Sequence, residues 1–158
     1  MTVVLRQNDG LELNLVEYRG GITLAELKAL AAFMARHPAH LQRDTLNIIQ
    51  PGGNFSAITL AELDALFAYY TKLFAPLNLQ IMRRAAWVCR SVAAQAHLRH
   101  WLSGDIRKGM STSVRMFDTF ADAGDWLLLS AAEMAIAESG ENFTDVARFT
   151  APAMVLTP

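Results

Sequence analysis

The chain has a single cysteine, Cys89. No intrachain disulfide can form, and metal sites built from several thiolates are excluded. No apolar run approaches the ~18 residues that a membrane helix requires. The start, Met1-Thr2-Val3-Val4-Leu5-Arg6, lacks a basic region leading into an apolar one. A cytoplasmic, reducing location is therefore expected. The nucleotide-binding glycine fingerprints are missing, as is the G-x-S-x-G elbow of serine hydrolases. Charge is scarce as well, at 18% of residues and a net −1. A pI near 6.4 argues against a nucleic-acid-binding domain.

What is abundant is apolar surface, at 53% of residues, with a mean hydropathy of +0.20. In a chain of 158 residues, long enough for one domain with its own core, that surplus fills a dense core, lines a pocket or forms a subunit interface. The charges that are present segregate. Residues 81–115 hold seven Arg/Lys (Arg83, Arg84, Arg90, Arg99, Arg107, Lys108, Arg115) against Asp105, and residues 116–158 hold seven acids against Arg148. The expectation is that the acidic end folds over the basic segment and neutralises it; the alternative is a basic surface for an anionic ligand or partner.

Val3–Gln7 has strand character, Asn8-Asp9-Gly10 is a hairpin turn signal, and Leu11–Tyr18 alternates apolar with polar residues. Thr23 followed by Glu26, and Thr59 followed by Glu62, are capping boxes. Each has a hydrophobic staple, Ile22 with Leu27 and Ile58 with Leu63. The identical six-residue stretches at 22–27 and 58–63 are two uses of one capping solution rather than a solenoid repeat, because no third copy exists. The helices should end near His37 and before Pro76. Thr45–Ile49, Ala85–Cys89 and Ser113–Phe117 read as buried strands. Ser91 caps a helix to about Leu102, and Thr119 with Asp122 opens another. Alternating strands and helices predict parallel pairing with right-handed crossovers, with the hairpin at the sheet's edge. Trp87 and Trp126 are expected to be largely buried. Ser130–Pro158 reads as an apolar, acidic tail that docks on its own domain or on a second copy.

The run Val114-Arg115-Met116-Phe117, then Ala123, then Trp126-Leu127, with the entry Gly21-Ile22-Thr23, resembles the STAS superfamily, in particular its small SpoIIAA-like members. The resemblance covers residues 3–129. It implies an α/β fold with a mixed four- to five-stranded sheet, an N-terminal hairpin and about four helices, and it leaves the docking tail over 130–158 unmatched. It implies a non-enzymatic regulatory or protein-interaction module, or alternatively a carrier or sensor of a lipid-like or anionic small molecule. In that family a serine at the start of the second helix is phosphorylated. Ser56 is the nearest counterpart here, but Asn54-Phe55-Ser56-Ala57-Ile58-Thr59 lacks the Asp and Gly of the family's pattern.

Candidate chemistry is sparse. The loop Gly52-Gly53-Asn54-Phe55-Ser56 follows a strand and precedes a helix, a place where α/β sheets bind ligands and where free N–H groups favour anions. It is the candidate ligand or partner site. His97 and His100 share a helix face without a third ligand nearby, so no metal site is expected. His37 and His40 flank Pro38 in what reads as a solvated loop. Cys89 lies in an apolar strand, where burial suppresses the thiolate. No catalytic set and no cofactor are expected. The partners expected are a protein, with a homodimer favoured, or a small ligand.

Overall fold

The computed structural model describes residues 2–8, 10–77, 83–103 and 112–150. Asp9 of the hairpin turn, Gly104, Asp105, Arg107, Lys108 and the end of the chain from Ala151 lie outside them. The described residues form one mixed sheet of six strands, in the order β5-β4-β3-β2-β1-β6. The strands are β1 (Thr2–Asn8), β2 (Leu13–Arg19), β3 (Asp44–Ile49), β4 (Arg83–Cys89), β5 (Thr112–Phe117) and β6 (Thr144–Phe149). The helices are α1 (Leu24–Arg36), α2 (Leu60–Phe74), α3 (Gln95–Trp101), α4 (Phe120–Trp126) and α5 (Ala131–Ser139). Strands β2 to β5 pair in parallel, as the strand–helix alternation predicts, and β1 is antiparallel to both its neighbours.

Strand and helix numbers exceed the expectation, and one cause accounts for both. Residues after Leu129 add α5 and β6 to the same sheet, with β6 pairing along β1. The hairpin consequently lies inside the sheet rather than at its edge. Ser130 caps α5 with a full capping box to Glu133, and Gly140 closes it at φ 74°, the left-handed position where glycine has no Cβ to clash.

The sheet is covered on both faces. Helices α1, α2 and α3 bury Val16, Tyr18, Ile49 and Trp87 on one face, and α4 and α5 bury Leu13, Leu15, Ile48 and Val88 on the other. The period-2 side-chain alternation of β2 splits Leu13 and Leu15 from Val16 and Tyr18 in this way. Trp87 is buried as expected, whereas Trp126 is only half-buried. It sits at the last position of α4, where its ring lies between Phe117 and the guanidinium of Arg84.

Both capping boxes form. Thr59 N–H donates to Glu62 Oε2 at 2.8 Å, and Glu62 N–H donates to Thr59 Oγ1 at 3.1 Å. At Thr23 the N–H donates to Glu26 Oε2 at 2.8 Å, and the hydroxyl leans toward that same oxygen at 3.3 Å. Thr59→Ala should lower stability by about 1 kcal/mol, read as a lower urea midpoint with an unchanged slope. An unchanged midpoint would mean that the cap is energetically idle.

Candidate functional site

The parallel strands β2, β3 and β4 end at one rim of the sheet, where three loops are tied together. Gln50 N–H donates to Tyr18 O at 3.0 Å, and Arg90 N–H donates to Ile49 O at 2.9 Å. Asn54 N–H donates to Gly20 O at 2.9 Å, while Asn54 O accepts from Ile22 N–H at 2.8 Å. Ser91, expected as a helix cap, instead donates its hydroxyl to Gly53 O. The segment after it opens as a short 3-10 turn, Val92–Ala94, that leads into α3. Gly53 is fixed by close approach, since a Cβ there would stand 2.8 Å from Ile49 Cγ2 and 3.0 Å from Gln50 O.

Within the loop the five candidate residues divide. Gly52 and Ser56 are exposed, Asn54 is half-buried, and Gly53 and Phe55 are buried. Phe55 is a core residue, 1% exposed, with its ring centroid 6.4 Å from Tyr18, 6.2 Å from Trp101 and 6.3 Å from His97. Asn54 Oδ1 accepts both the N–H and the hydroxyl of Ser56, the latter at 2.6 Å. The amides of Gly53, Asn54, Ser56 and Ile58 are each bonded within the chain. What the loop offers a partner is its outer surface.

That surface continues apolar. Leu60 is 45% exposed and Val92 85% exposed. Ala57, Ala61, Ala93 and Ala96 are exposed around them. The two helical segments that carry these residues are locked together: His97 Nε2 lies 3.0 Å from Ile58 O, and His100 Nε2 lies 2.7 Å from Asp64 Oδ1. Both histidines thus join α3 to α2. Sequence reading missed this patch, because Leu60 stands three residues before Leu63 and seven before Phe67, on the apolar stripe by spacing, and nothing local marks it as exposed. Among the described residues, no three His, Cys, Asp or Glu side chains stand close enough together to hold a metal ion. Cys89 is half-buried at the end of β4, its thiol 3.1 Å from Ser91 O.

The opposite end of the same helix-covered face is polar and buried. Tyr18 Oη donates to Asn47 Oδ1 at 3.3 Å, and Arg83 Nη1 donates to Thr45 Oγ1 at 3.2 Å. Burial pulls the Arg83 guanidinium down to about 10 and pushes the Tyr18 phenol well above its ordinary value. Asn14, fully buried, donates Nδ2–H to His40 O at 2.6 Å, while its Oδ1 and His40 Nδ1 have no hydrogen-bond partner among the described residues. His40 is therefore not in a solvated loop: the 3-10 turn Pro38–Gln42 tucks beneath α1, and His37 and His40 flank the Phe33 ring at 4.4 and 5.9 Å.

Burial first, then Arg43 and His37, hold the His40 imidazole below its usual 6.5. A group with a lowered folded-state pKa binds more protons when unfolded, so its stabilising effect is complete above about pH 6.5 and is lost as pH falls below it. Urea midpoints should therefore drop between about pH 7 and pH 5, and His40→Gln should flatten that slope. An identical slope in the variant would assign the acid sensitivity to other groups.

Among the described residues, Arg84, Arg90 and Arg115 are not neutralised in the way the composition suggests. Among the described residues, no ion pair joins Arg84, Arg90 or Arg115 to an acid of residues 116–149. Each guanidinium lies instead over a ring: Arg84 over Trp126, Arg90 over Phe120 and Arg115 over Phe117, at 5.4 to 5.7 Å. No helix among the described residues is long and apolar enough to cross a membrane. No family model, curated protein or solved structure matches the chain.

Proposed function

We propose that this chain is a non-enzymatic interaction module of the STAS, SpoIIAA-like type that docks a protein on the exposed apolar surface at the starts of α2 and α3, beside the Gly52–Ser56 loop. The observation that carries the reading is the exposure of Leu60 and Val92 beside that loop. Three cross-element hydrogen bonds hold this surface in one shape before any partner arrives, which lowers the ordering cost of binding. The Ser56 hydroxyl is engaged by Asn54 in a context without the family's Asp and Gly, so Ser56→Asp should leave partner binding nearly unchanged.

Native mass spectrometry of the purified full chain tests the reading. A protein complex, with itself or with another chain, that dissociates in Val92→Glu and persists in Ser56→Asp supports it. A monomer that carries a small molecule, retained in Val92→Glu, would overturn it. That outcome would favour the second reading, a carrier or sensor of a small anionic ligand. The observation behind the second reading is the Asn14 Oδ1 that has no hydrogen-bond partner among the described residues, one strand away from Thr45, to which Arg83 donates.

A further inference from the structure

We propose that α5 and β6 form an exchangeable unit, passed between two copies of this chain about a hinge at Leu128. Such a dimer is separate from docking at Leu60 and Val92. It needs no further apolar surface, because the contacts that close it are already present within a single chain.

Leu128 stands in the left-handed region, at φ 63°. It is the residue just past the end of α4 in a Schellman closure. Leu128 N–H donates to Asp125 O at 3.1 Å, and Leu129 N–H donates to Gly124 O at 2.9 Å. Glycine is the usual residue at this position, because a Cβ there crowds the following carbonyl oxygen. The chain obeys that preference at the end of α5, where Gly140 takes φ 74°. At the end of α4 it places a leucine instead. Burial does not compensate: Leu128 is 79% exposed, whereas Leu127 is buried and Leu129 packs partly against the core. The strained turn persists because α5 and β6 fold back on their own chain. Extending the hinge returns Leu128 to negative φ and hands the two capping N–H groups to water. A short connection under strain invites exchange of the element that follows it.

What lies beyond the hinge carries its own local structure. Ser130 and Glu133 cap α5 between themselves, so the helix start survives whichever way the chain runs. The ties from this unit to the body are specific. Met134 packs on Gly124, where an added Cβ would stand 2.9 Å from Met134 Cγ. Strand β6 pairs along β1. Asp145 lies 2.8 Å from Arg6, and the Phe149 ring lies 5.9 Å from that of Phe33. Every one of these partners precedes Leu128, so a second copy can supply all of them in the same geometry. Among the described residues, β6 has β1 as its one neighbour in the sheet, and its withdrawal opens a single ladder. Mutual exchange between two copies closes on itself as a two-fold dimer.

The test is refolding of the full chain from urea at low and at high concentration, followed by size-exclusion chromatography. High concentration should yield a dimer that persists on dilution, since the unit must be withdrawn before it can return to its own chain. Leu128→Gly removes the strain and should lower the dimer fraction by more than about fivefold. Leu128→Ile adds a β-branched side chain, which tolerates this φ least, and should raise the fraction. The site is exposed, so folding should survive both changes, and circular dichroism checks that it does. Connectivity is read with Gln7→Cys and Thr144→Cys, directly opposite across β1 and β6, in a Cys89→Ser background. After oxidation the monomer should hold its bridge within one chain. The oxidised dimer should run as a covalent pair on a denaturing, non-reducing gel. A dimer whose bridges lie within each chain would overturn the proposal, and so would equal dimer fractions for glycine, leucine and isoleucine at 128. A chain that refolds only to monomer at every concentration, Leu128→Ile included, would overturn it as well and leave the docking reading standing.

Discussion

Replacing Phe55 by alanine should destabilise the protein by about 3–5 kcal/mol, the cost of removing a fully packed aromatic side chain. The residue stands in the middle of the loop that sequence reading nominates as a contact surface, so the size of the effect separates two roles. At 1% exposure it cannot reach a partner, and its ring is enclosed by Tyr18, His97 and Trp101. Phe55 is the nail that fastens the rim loop to the face covered by α2 and α3. Without it, Gly53 and Asn54 keep their backbone bonds to neighbouring loops but lose the weight that holds them down. Substitution of the exposed neighbour Ser56 by alanine should stay within about 0.5 kcal/mol, as for ordinary surface sites. Urea midpoints of the two variants at one pH decide the matter: a Phe55→Ala midpoint as close to the parent as that of Ser56→Ala would show that the ring is not part of the core.

The contrast between Phe55 and its neighbours shows where sequence reading reaches its limit. Elements with a strong local signal are legible. The stapled capping boxes place the starts of α1 and α2 to the residue. The apolar runs at 45–49 and 85–89 become the central parallel strands. Loop side chains carry no period, so nothing local distinguishes a buried Phe55 from an exposed one. Ser91 illustrates the same point: a serine before a helix is a cap by local rule, and only the tertiary approach of Gly53 redirects its hydroxyl.

The segment after Leu129 fails for a different reason. A capping signal was present at Ser130 and Glu133, as strong as those at Thr59 and Glu62, and the C-terminal glycine Gly140 supports it. Strand β6, by contrast, carries Asp145 and Arg148 in six residues and resembles no central strand. Edge strands are commonly charged in this way, which blunts pairing with other chains. Its place in the sheet is written in its partners, Val3 to Gln7, and not in its own composition.

Those partners make Glu17 the residue whose loss should be felt furthest from its own position. Its side chain is 7% exposed and is held by Arg6 at 2.9 Å from β1 and by Arg19 from its own strand. Arg6 reaches the other way as well, 2.8 Å from Asp145 on β6. One carboxylate thus anchors an arginine that bridges three adjacent strands. Taking away one partner of an enclosed ion pair costs about 3–5 kcal/mol, because the remaining charge stays desolvated. Here Arg19 is 45% exposed and can turn to water, and Arg6 keeps Asp145. Glu17→Ala should therefore cost about 2–3 kcal/mol, below that range. Asp145→Ala, at an exposed site, should cost no more than about 1 kcal/mol. Hydrogen exchange then separates a local from a global effect. If Arg6 is the clamp, Glu17→Ala should speed exchange of the amides of residues 144–149 more than those of β3 and β4. Uniform acceleration across the sheet would mean that Glu17 contributes to global stability without holding the edge strand.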